Sequence, residues 1–445
     1  MVLRKSDNIE TVKCGDDSYI MYNRLLNKPI LVNQAVVEFI EKQTVDINDS
    51  QLTANAELIE FLMDSFVYID PKNTERDLCH KQNDEWLRML AAGKTIKYID
   101  LRISERCNFG CKHCISSRAK NNSLMSTKTA IDVTDYIIKY MMHSQLDFGN
   151  IDIHYGNAEP LINFDVLVAV QRHLNQVYPF LKKEVSINTN LSLLTDEIAE
   201  YLIDENIMIY VSLDGPREAN DSIRVFRDGR GTFDIIMSKI NLLKKMGSPI
   251  EGISVTVTDA NFEFLDLSFL SWCKERGFRS LAMDFDLVNE LSIKLEDRVD
   301  YLVSMWKKSK KIGIEFFGTW ITPFLNLSNR SLVYENFAFC KGIHGQSVSI
   351  SPDGYIYLCG SSSTNICHYT ELENSLKPEG EFYRLVESRL IGNNSMCRGC
   401  IIEGSCAGQC HVTREFSMEN TIEQCKFYKM VTTELLKAQG EVENL

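Results

Sequence analysis

The sequence predicts an α/β protein built around a partial, open barrel of six β/α units, with a small α+β unit before it and a cysteine-rich segment after it. Three observations lead to this prediction. Apolar runs of strand length alternate with helical segments in the middle of the chain, the first 90 residues follow a different pattern, and ten of the 14 cysteines fall into two spaced groups. We therefore expect three domains, which span residues 1–90, 91–325 and 326–445.

The first 90 residues combine short strand-like runs with amphipathic helical patterns. The runs 19–22 and 29–32 are separated by a turn, and apolar residues with helical spacing follow from Ala35 and from Leu58. This pattern predicts a small α+β domain of winged-helix-like form. An extension that caps the barrel is the alternative.

The barrel prediction rests on six apolar runs that alternate with helical segments such as 195–203 and 232–245. Strands that alternate with helices form parallel sheets. In barrels of this type the chemistry takes place at the carboxyl ends of the strands. The six runs are 97–104, 150–155, 184–190, 208–214, 252–258 and 280–288.

Charge and composition narrow the function. The chain has 61 acidic and 48 basic residues and a net charge of −13, which disfavours nucleic acid as a partner because phosphate contacts need a basic face. No apolar stretch is long enough to span a membrane, and no signal peptide is evident at the N-terminus. We expect a cytoplasmic protein, in which clustered cysteines are metal ligands or catalytic groups rather than disulfides.

The first cysteine group, Cys107, Cys111 and Cys114, follows directly on the first barrel strand. Three thiolates can hold three irons of a four-iron cluster and leave the fourth iron open, whereas an electron-transfer cluster has four thiolates. A zinc site is the alternative, with His113 as its fourth ligand. Its position next to Cys114 makes joint tetrahedral coordination awkward.

The spacing of this group, C-x3-C-x2-C after the first strand, resembles that of the radical SAM superfamily. The resemblance implies that the open iron binds S-adenosylmethionine (SAM), which is cleaved to a 5′-deoxyadenosyl radical. After the second strand, the segment from Gly156 to Pro160 resembles the Gly-Gly-Glu-Pro motif of the family. That likeness implies that Gly156 and Glu159 receive the SAM amino group, although Asn157 and Ala158 depart from the motif.

Two further segments resemble SAM-binding motifs of the family. Asn188 lies in a turn similar to the one near the SAM ribose. Ser212 and Arg224 lie in a stretch that resembles the segment holding the SAM carboxylate, with Arg227 and Arg230 as competing arginines.

The second cysteine group resembles, spacing for spacing, the SPASM domain, which carries two auxiliary four-iron clusters in radical SAM enzymes that modify peptides and proteins. Together with the first group, the resemblance implies three [4Fe-4S] clusters. The group consists of Cys340, Cys359, Cys397, Cys400, Cys406, Cys410 and Cys425.

The resemblance also divides this group between two clusters. Cys340, Cys359 and Cys410 would hold the first auxiliary cluster, and either Cys367 completes it or one position stays open. The second cluster would be held by Cys397, Cys400, Cys406 and Cys425.

The sixth apolar run carries two acids, Asp284 and Asp286, whose spacing of two places them on one face of a strand. Removal of a hydrogen atom from a peptide is usually followed by loss of a proton, so a base at the barrel mouth is useful. We expect one of the two, Asp286 rather than Asp284, to be that base. An ion pair with a neighbouring Lys or Arg is the alternative.

These resemblances together imply an oxidoreductase of the radical SAM/SPASM class that modifies, and crosslinks, a ribosomally synthesised precursor peptide. Residues 1–90 resemble a peptide-recognition domain, so the leader of the peptide would bind there. An electron donor such as flavodoxin or ferredoxin would reduce the enzyme.

Two other functions compete. One is sulfatase maturation, but enzymes of that family carry an Asp as a base where this chain has Gly360, directly after Cys359. The other is a non-catalytic iron–sulfur electron carrier, which would need four ligands at every cluster.

Overall fold

The computed structural model describes residues 2–41, 44–46, 56–72, 74–116, 122–144, 150–248, 250–328 and 338–443. The N-terminal unit contains two antiparallel three-stranded sheets, and its strands at 19–23 and 27–32 include both predicted runs. Its elements are β1 (Val2–Lys5), β2 (Ile9–Lys13), β3 (Tyr19–Asn23), β4 (Asn27–Val32), α1 (Gln34–Ile40), β5 (Thr44–Asp46), α2 (Ala56–Asp64) and β6 (Tyr68–Ile69). The sheet orders are β5-β1-β6 and β2-β3-β4.

This N-terminal unit has a small hydrophobic core of its own. Asn33 caps α1 by accepting a hydrogen bond from the Val36 amide, which fixes the helix where its apolar face can pack. The winged-helix form stays a prediction. The buried members of this core are Leu3, Met21, Val32, Ile40, Ile59, Leu62, Val67 and Tyr68.

A long helix, α3 (Glu75–Ala91), connects this unit to the rest of the chain and belongs to the larger core. The Trp86 ring stacks on His344 with 3.9 Å between centroids, and Asn83 Nδ2 donates to the Ile391 carbonyl at 2.8 Å. The expected boundary at residue 90 therefore falls at the end of a helix that packs on the cysteine-rich segment. We propose that the N-terminal domain ends before Glu75.

Seven parallel strands alternate with helices in the central part. Six of them coincide with the six predicted runs, and the seventh is a three-residue strand that the sequence pattern does not reveal. The strands are β7 (Tyr98–Leu101), β8 (Asn150–Tyr155), β9 (Lys182–Thr189), β10 (Met208–Ser212), β11 (Gly252–Val257), β12 (Ser280–Phe285) and β13 (Glu315–Phe317). The helices are α4 (Thr127–Ser144), α5 (Phe164–Val177), α6 (Asp196–Asp204), α7 (Arg217–Ile223), α8 (Phe233–Lys245), α9 (Leu267–Glu275), α10 (Leu295–Ile312) and α11 (Thr322–Ser328).

The cysteine-rich part contains a hairpin whose turn includes Asp353 and Gly354, and it ends in a long helix. Its elements are β14 (Ser347–Ile350), β15 (Tyr355–Tyr357), β16 (Asn365–His368), α12 (Leu372–Ser375), α13 (Glu381–Glu387), α14 (Glu403–Cys406), α15 (His411–Arg414) and α16 (Met418–Glu443). Within the described residues, no helix combines the length and the apolar character needed to span a membrane.

One sheet of ten strands joins the last two parts, in the order β13-β12-β11-β10-β9-β8-β7-β14-β15-β16. Strand β14 pairs in parallel with β7, so that Ser349 lies opposite Asp100. The α/β class and the mostly parallel sheet are confirmed. The addition of β14 to this sheet is a feature that the sequence analysis missed.

Candidate active site

The first cysteine group lies in a loop, residues 107–114, that leaves the carboxyl end of β7; we call it the reactive loop. The chain after α7 holds this loop in place. Gly110 N donates to the Val225 carbonyl at 2.8 Å, and the Phe109 ring meets Phe226 edge to face at 5.0 Å. The three cysteines are therefore presented by a braced loop at the mouth of the sheet.

The reactive loop borders a cavity of 420 Å³. The cavity contains all three cysteines of the first group and three of the five predicted SAM contacts, Asn188, Ser212 and Arg224. Its other lining residues are Asp100, Phe109, His113, Ile115, Ser116, His154, Asn157, Ala158, Asn190, Ser254, Thr256, Gly360 and Ser361.

Arg224 contributes a positively charged side chain to the lining of this cavity. Its Nε donates to Asp214 Oδ2 at 2.8 Å, its Nη1 lies 3.8 Å from Cys111 Sγ, and its Nη2 lies 3.4 Å from His113 Nε2. Burial alone would lower the pKa of Arg224, but the charge and hydrogen bond of Asp214 together with the nearby Cys111 and Cys114 raise it overall. Arg224 is thus held charged at the cavity wall, whereas Arg230 is exposed and paired with Asp228.

Burial controls the protonation of the reactive loop itself. It raises the pKa of Cys111 to about 11 and lowers the pKa of His113. The Cys111 thiol therefore keeps its proton until a metal displaces it. The neutral His113 ring faces Asp214 and Arg224 through Nε2.

Asn188 and Ser212 face the cavity from neighbouring strands, with Ser212 Oγ donating to Asn188 Oδ1 at 3.3 Å. Asn190 lies beside them, and its Nδ2 is 3.8 Å from Cys107 Sγ. Asn190 completes the polar turn after β9, and the sequence analysis did not assign it a role.

Glu159 departs from expectation. Its carboxylate is fully buried and accepts hydrogen bonds from Thr189 Oγ1 at 2.6 Å, from the Asn190 amide at 2.8 Å and from the Leu161 amide at 3.0 Å. It is not among the residues that line the cavity. These bonds tie the turns after β8 and β9 together, so the geometry gives Glu159 a positioning role rather than a direct contact with an amino group.

Gly156 also departs from expectation. The positive φ angles that glycine adopts most readily occur at the next two residues and not at Gly156. Asn157 and Ala158 have φ of 64° and 35°, in the left-handed region, and both line the cavity. Gly156 is required for another reason, since a Cβ there would lie 2.5 Å from His154 Nε2. Asn157 and Ala158 therefore adopt a backbone conformation that glycine adopts more readily.

The cysteines of the second group lie near one another in the two sets that the resemblance implies. Burial raises the pKa of Cys359 to about 11 and that of Cys410 to about 11, and the charges of Cys410 and Cys340, respectively, add to it. In the other set burial raises the pKa of Cys406, and the nearby Cys397, Cys425 and Cys400 raise it further. We call these the first and second auxiliary sets.

Over the described ranges, no group of three or more His, Cys, Asp or Glu side chains is placed to hold one metal ion. A four-iron cluster makes a different demand on its site, because each thiolate binds an iron of its own.

The expectation for Cys367 is not supported. Cys367 lies on β16 opposite Ile356, its pKa is raised to about 11 by burial, and its polar neighbours are Ser375, Glu381 and Glu371. None of these belongs to the first auxiliary set. The strand pairing of β15 with β16 therefore directs Cys367 to the corner near α12 instead of to the cluster site.

The expectation for Asp284 and Asp286 is not supported either, because neither lines the cavity of the reactive loop. Asp284 Oδ1 accepts from Thr319 N and Oγ1, both at 2.7 Å. Asp286 accepts from the Val288 amide at 2.8 Å and from Asn289 Nδ2 at 2.6 Å. The local backbone after β12 and β13 satisfies both carboxylates, and the sequence could not reveal this.

Four polar cavity residues that lie on strands were missed in the sequence: Asp100, His154, Ser254 and Thr256. Each interrupts an apolar run at a position that faces inward. A polar residue on the inner face of an otherwise apolar parallel strand was the signal that could have found them.

Comparison with known proteins identifies the class. Residues 101–267 match the model of the radical SAM superfamily, so the chain carries a radical SAM domain. Membership of such a domain in this superfamily implies a [4Fe-4S] cluster and SAM as cofactors.

Individual relatives narrow the class. The chain is 23% identical to the radical SAM cyclopropyl synthase TigE of Paramaledivibacter caminithermalis, and the alignment covers 98% of this chain and 96% of TigE. It is 24% identical to the cysteine-type anaerobic sulfatase-maturating enzyme of Clostridium perfringens, over 74% and 85% of the two chains. The fold resembles that of Streptococcus suis SuiB bound to the precursor peptide SuiA, with a TM-score of 0.54, 16% identity and coverage of 94% and 97%. The chain is a radical SAM enzyme related to peptide-modifying and sulfatase-maturating enzymes.

Proposed function

We propose that this enzyme reductively cleaves SAM and uses the 5′-deoxyadenosyl radical to modify a ribosomally synthesised precursor peptide, by closing a carbon–carbon or thioether bond. The observation that carries the proposal is one cavity of 420 Å³ in which Cys107, Cys111 and Cys114 meet the buried Arg224 guanidinium.

The residues of the cavity suit the cofactors. A four-iron cluster held by the three thiolates of the reactive loop would supply the electron for SAM cleavage. Arg224 would pair with the SAM carboxylate, because its Nη1 and Nη2 both face the reactive loop. Asn188 and Ser212 would donate and accept hydrogen bonds along the polar part of SAM.

The substrate proposal rests on the relatives and on charge. TigE is named a cyclopropyl synthase, and closing such a ring between two C–H carbons forms a carbon–carbon bond with loss of two hydrogens. SuiB was solved with a precursor peptide. The net charge of −13 suits a peptide with basic residues, whose leader would bind the N-terminal domain, expected within residues 1–90.

The two auxiliary sets would hold two further four-iron clusters, giving three in all. The first set supplies Cys340, Cys359 and Cys410 and leaves one position open, since Cys367 points elsewhere. A flavodoxin or ferredoxin is the proposed electron donor.

Sulfatase maturation is the second candidate, and the similarity to the Clostridium perfringens enzyme favours it. Gly360 argues against sulfatase maturation, because glycine has no side chain that could accept a proton at this position. Incubation with a peptide carrying a sulfatase cysteine motif distinguishes the two functions, since the precursor maturase leaves that cysteine unchanged.

The test of the proposed function counts irons and measures SAM cleavage. Anaerobically reconstituted enzyme should hold roughly twelve irons from three four-iron clusters. The variant with Cys107, Cys111 and Cys114 all changed to Ala should lose about four of these and release no 5′-deoxyadenosine. Continued release from this variant, or about four irons in the wild type, would refute the proposal.

A further inference from the structure

A row of polar side chains crosses four neighbouring strands at the wall of the cavity. Asp100 on β7 lies opposite Ser349 on β14 and His154 on β8, and His154 lies opposite Ser186 on β9. Ser349 Oγ donates to Asp100 Oδ2 at 2.6 Å, and His154 Nδ1 lies 2.8 Å from Ser186 Oγ. Hydrogen bonds to the outer members of the row thus orient both Asp100 and His154.

Within this row, only the Oδ2 atom of the Asp100 carboxylate accepts a hydrogen bond. Its Oδ1 is buried and has no hydrogen-bond partner within the described part of the chain. A buried carboxylate oxygen without a donor costs free energy, and such a group in a native structure calls for an explanation. In a reaction cavity a free lone pair can accept a proton.

The Asp100 carboxylate also takes up the space in front of Gly360. A Cβ on Gly360 would lie 2.9 Å from Asp100 Oδ2, so a side chain at 360 and the Asp100 carboxylate would compete for one place. Gly360 follows Cys359 of the first auxiliary set, and Gly360 and Asp100 both line the cavity of the reactive loop. A carboxylate therefore stands between the reactive loop and the loop that carries Cys359.

We propose that Asp100 accepts the proton that the substrate loses during bond formation. This inference rests on the proposed function. One substrate carbon gives a hydrogen atom to the 5′-deoxyadenosyl radical, which becomes 5′-deoxyadenosine. A second C–H or S–H group then gives its proton to Asp100 and one electron to an acceptor of the iron–sulfur class, and the new bond closes between the two atoms.

The variant Asp100→Asn tests this role, because an amide keeps an oxygen for the Ser349 hydrogen bond but accepts no proton at neutral pH. In the holoenzyme, the ratio of 5′-deoxyadenosine to modified peptide should rise at least about tenfold, a modest figure for loss of a general base. The thermal midpoint should not fall, since no hydrogen bond to the carboxylate is lost. Asp152→Asn, a partly buried acid outside the cavity on β8, is the matched control and should leave the ratio unchanged.

A second variant separates a chemical role from a structural one. Asp100→Gly combined with Gly360→Asp returns a carboxylate to the same space from the opposite wall. It should recover modified peptide that Asp100→Gly alone does not form.

An unchanged ratio of 5′-deoxyadenosine to modified peptide in Asp100→Asn, or a raised ratio in Asp286→Asn instead, would overturn the inference while the proposed function stands. If the wild type forms no 5′-deoxyadenosine, the proposed function fails, and the inference fails with it.

Discussion

Arg224 joins Asp214 to the reactive loop: its Nε donates to Asp214 Oδ2 at 2.8 Å, and its Nη1 lies 3.8 Å from Cys111 Sγ. Asp214 is fully buried and also accepts from the Thr256 amide at 2.8 Å. The Asp214 carboxylate therefore fixes the direction of the Arg224 guanidinium, and a backbone amide of β11 in turn fixes the carboxylate. Such a cation is prepared for an anionic group of a ligand before that ligand arrives.

Changing Arg224 to Lys should weaken SAM binding, because Lys keeps the charge but loses the planar fork that grips a carboxylate. Loss of charge-assisted hydrogen bonds worth about 1.5–3 kcal/mol corresponds to a rise of about 10- to 100-fold in Kd. Isothermal calorimetry on the anaerobic holoenzyme measures this. Arg230→Lys is the control, since Arg230 is exposed and bonds Asp228. Equal SAM affinity in both variants would remove Arg224 from the binding site.

Changing Ala158 to Gly should stabilise the protein. Ala158 has a φ of 35°, and the left-handed region costs an L-residue roughly 1–2 kcal/mol, of which the greater freedom of unfolded glycine takes back about 0.5–1 kcal/mol. We expect a net gain of up to about 1 kcal/mol in the free energy of unfolding by denaturant titration. Ala35→Gly, in the exposed part of α1, should change stability in the opposite direction. A loss in Ala158→Gly would show that the turn carries no strain.

The pair of Arg76 and Glu403 should be important for stability. Arg76 Nη2 lies 3.1 Å from Glu403 Oε1, and Glu403 is 1% exposed and also accepts from Gly399 N at 2.8 Å. Arg76→Ala leaves a buried charge unpaired, and we expect a loss on the order of 2 kcal/mol in the free energy of unfolding, reduced from the value for a fully buried pair because Arg76 is partly exposed.

Two further variants test this explanation by the same denaturant titration. Glu403→Gln added to Arg76→Ala should recover part of the loss, because it removes the unpaired charge. Lys377→Ala breaks an exposed pair with Glu373 and should cost less than about 1 kcal/mol. Equal losses in Arg76→Ala and Lys377→Ala would contradict the buried-charge explanation.

Asp284 should make stability depend on pH. Burial raises its pKa from 3.8 to about 6, in spite of the hydrogen bonds from Thr319. The folded state then binds the proton more tightly than the unfolded state, so this contribution favours folding at low pH and is lost as pH rises through about 6. Asp284→Asn should therefore gain stability relative to the wild type between about pH 5 and pH 7.5, by on the order of 1 kcal/mol.

The control for this pH dependence is Asp266→Asn. The hydrogen bond from Ser268 lowers the pKa of Asp266, so its carboxylate stays ionised over the same range. The effect of Asp266→Asn on the thermal midpoint should be the same at about pH 5 and at about pH 7.5. A pH-independent effect of Asp284→Asn would contradict the raised pKa.

The strands of the sheet could be read from the sequence because β8, β9 and β11 are runs of strand length in which apolar residues recur at every second position. The three-residue strand β13 has no such run, and the pairing of β14 with β7 joins residues about 250 apart in the chain, as in the Ser349–Asp100 hydrogen bond. Local patterns carry no signal for such a pairing.

Sequence spacing brought the three cysteines of the reactive loop, Arg224 and Ser212 to one cavity, since loops that follow neighbouring parallel strands meet at one edge. The sequence motifs did not predict that Glu159 and Asp286 lie outside the lining of this cavity, because the direction of a carboxylate depends on which amides the adjoining turns offer. Nor did they predict that Cys367 lies beside Ser375, Glu381 and Glu371, since its distance along the chain does not say to which side of β16 it projects.

The loop bearing Cys107 follows β7, and the loop bearing Cys359 follows β15, which is joined to β7 through β14 in one sheet. A slip by one residue would turn every side chain of the hairpin to the other face, so only slips by two residues preserve the packing. Each such step is about 6.6 Å along the strand. As long as this packing is kept, a shift of the hairpin along β7 therefore moves Cys359 relative to Cys107 only in steps of that size.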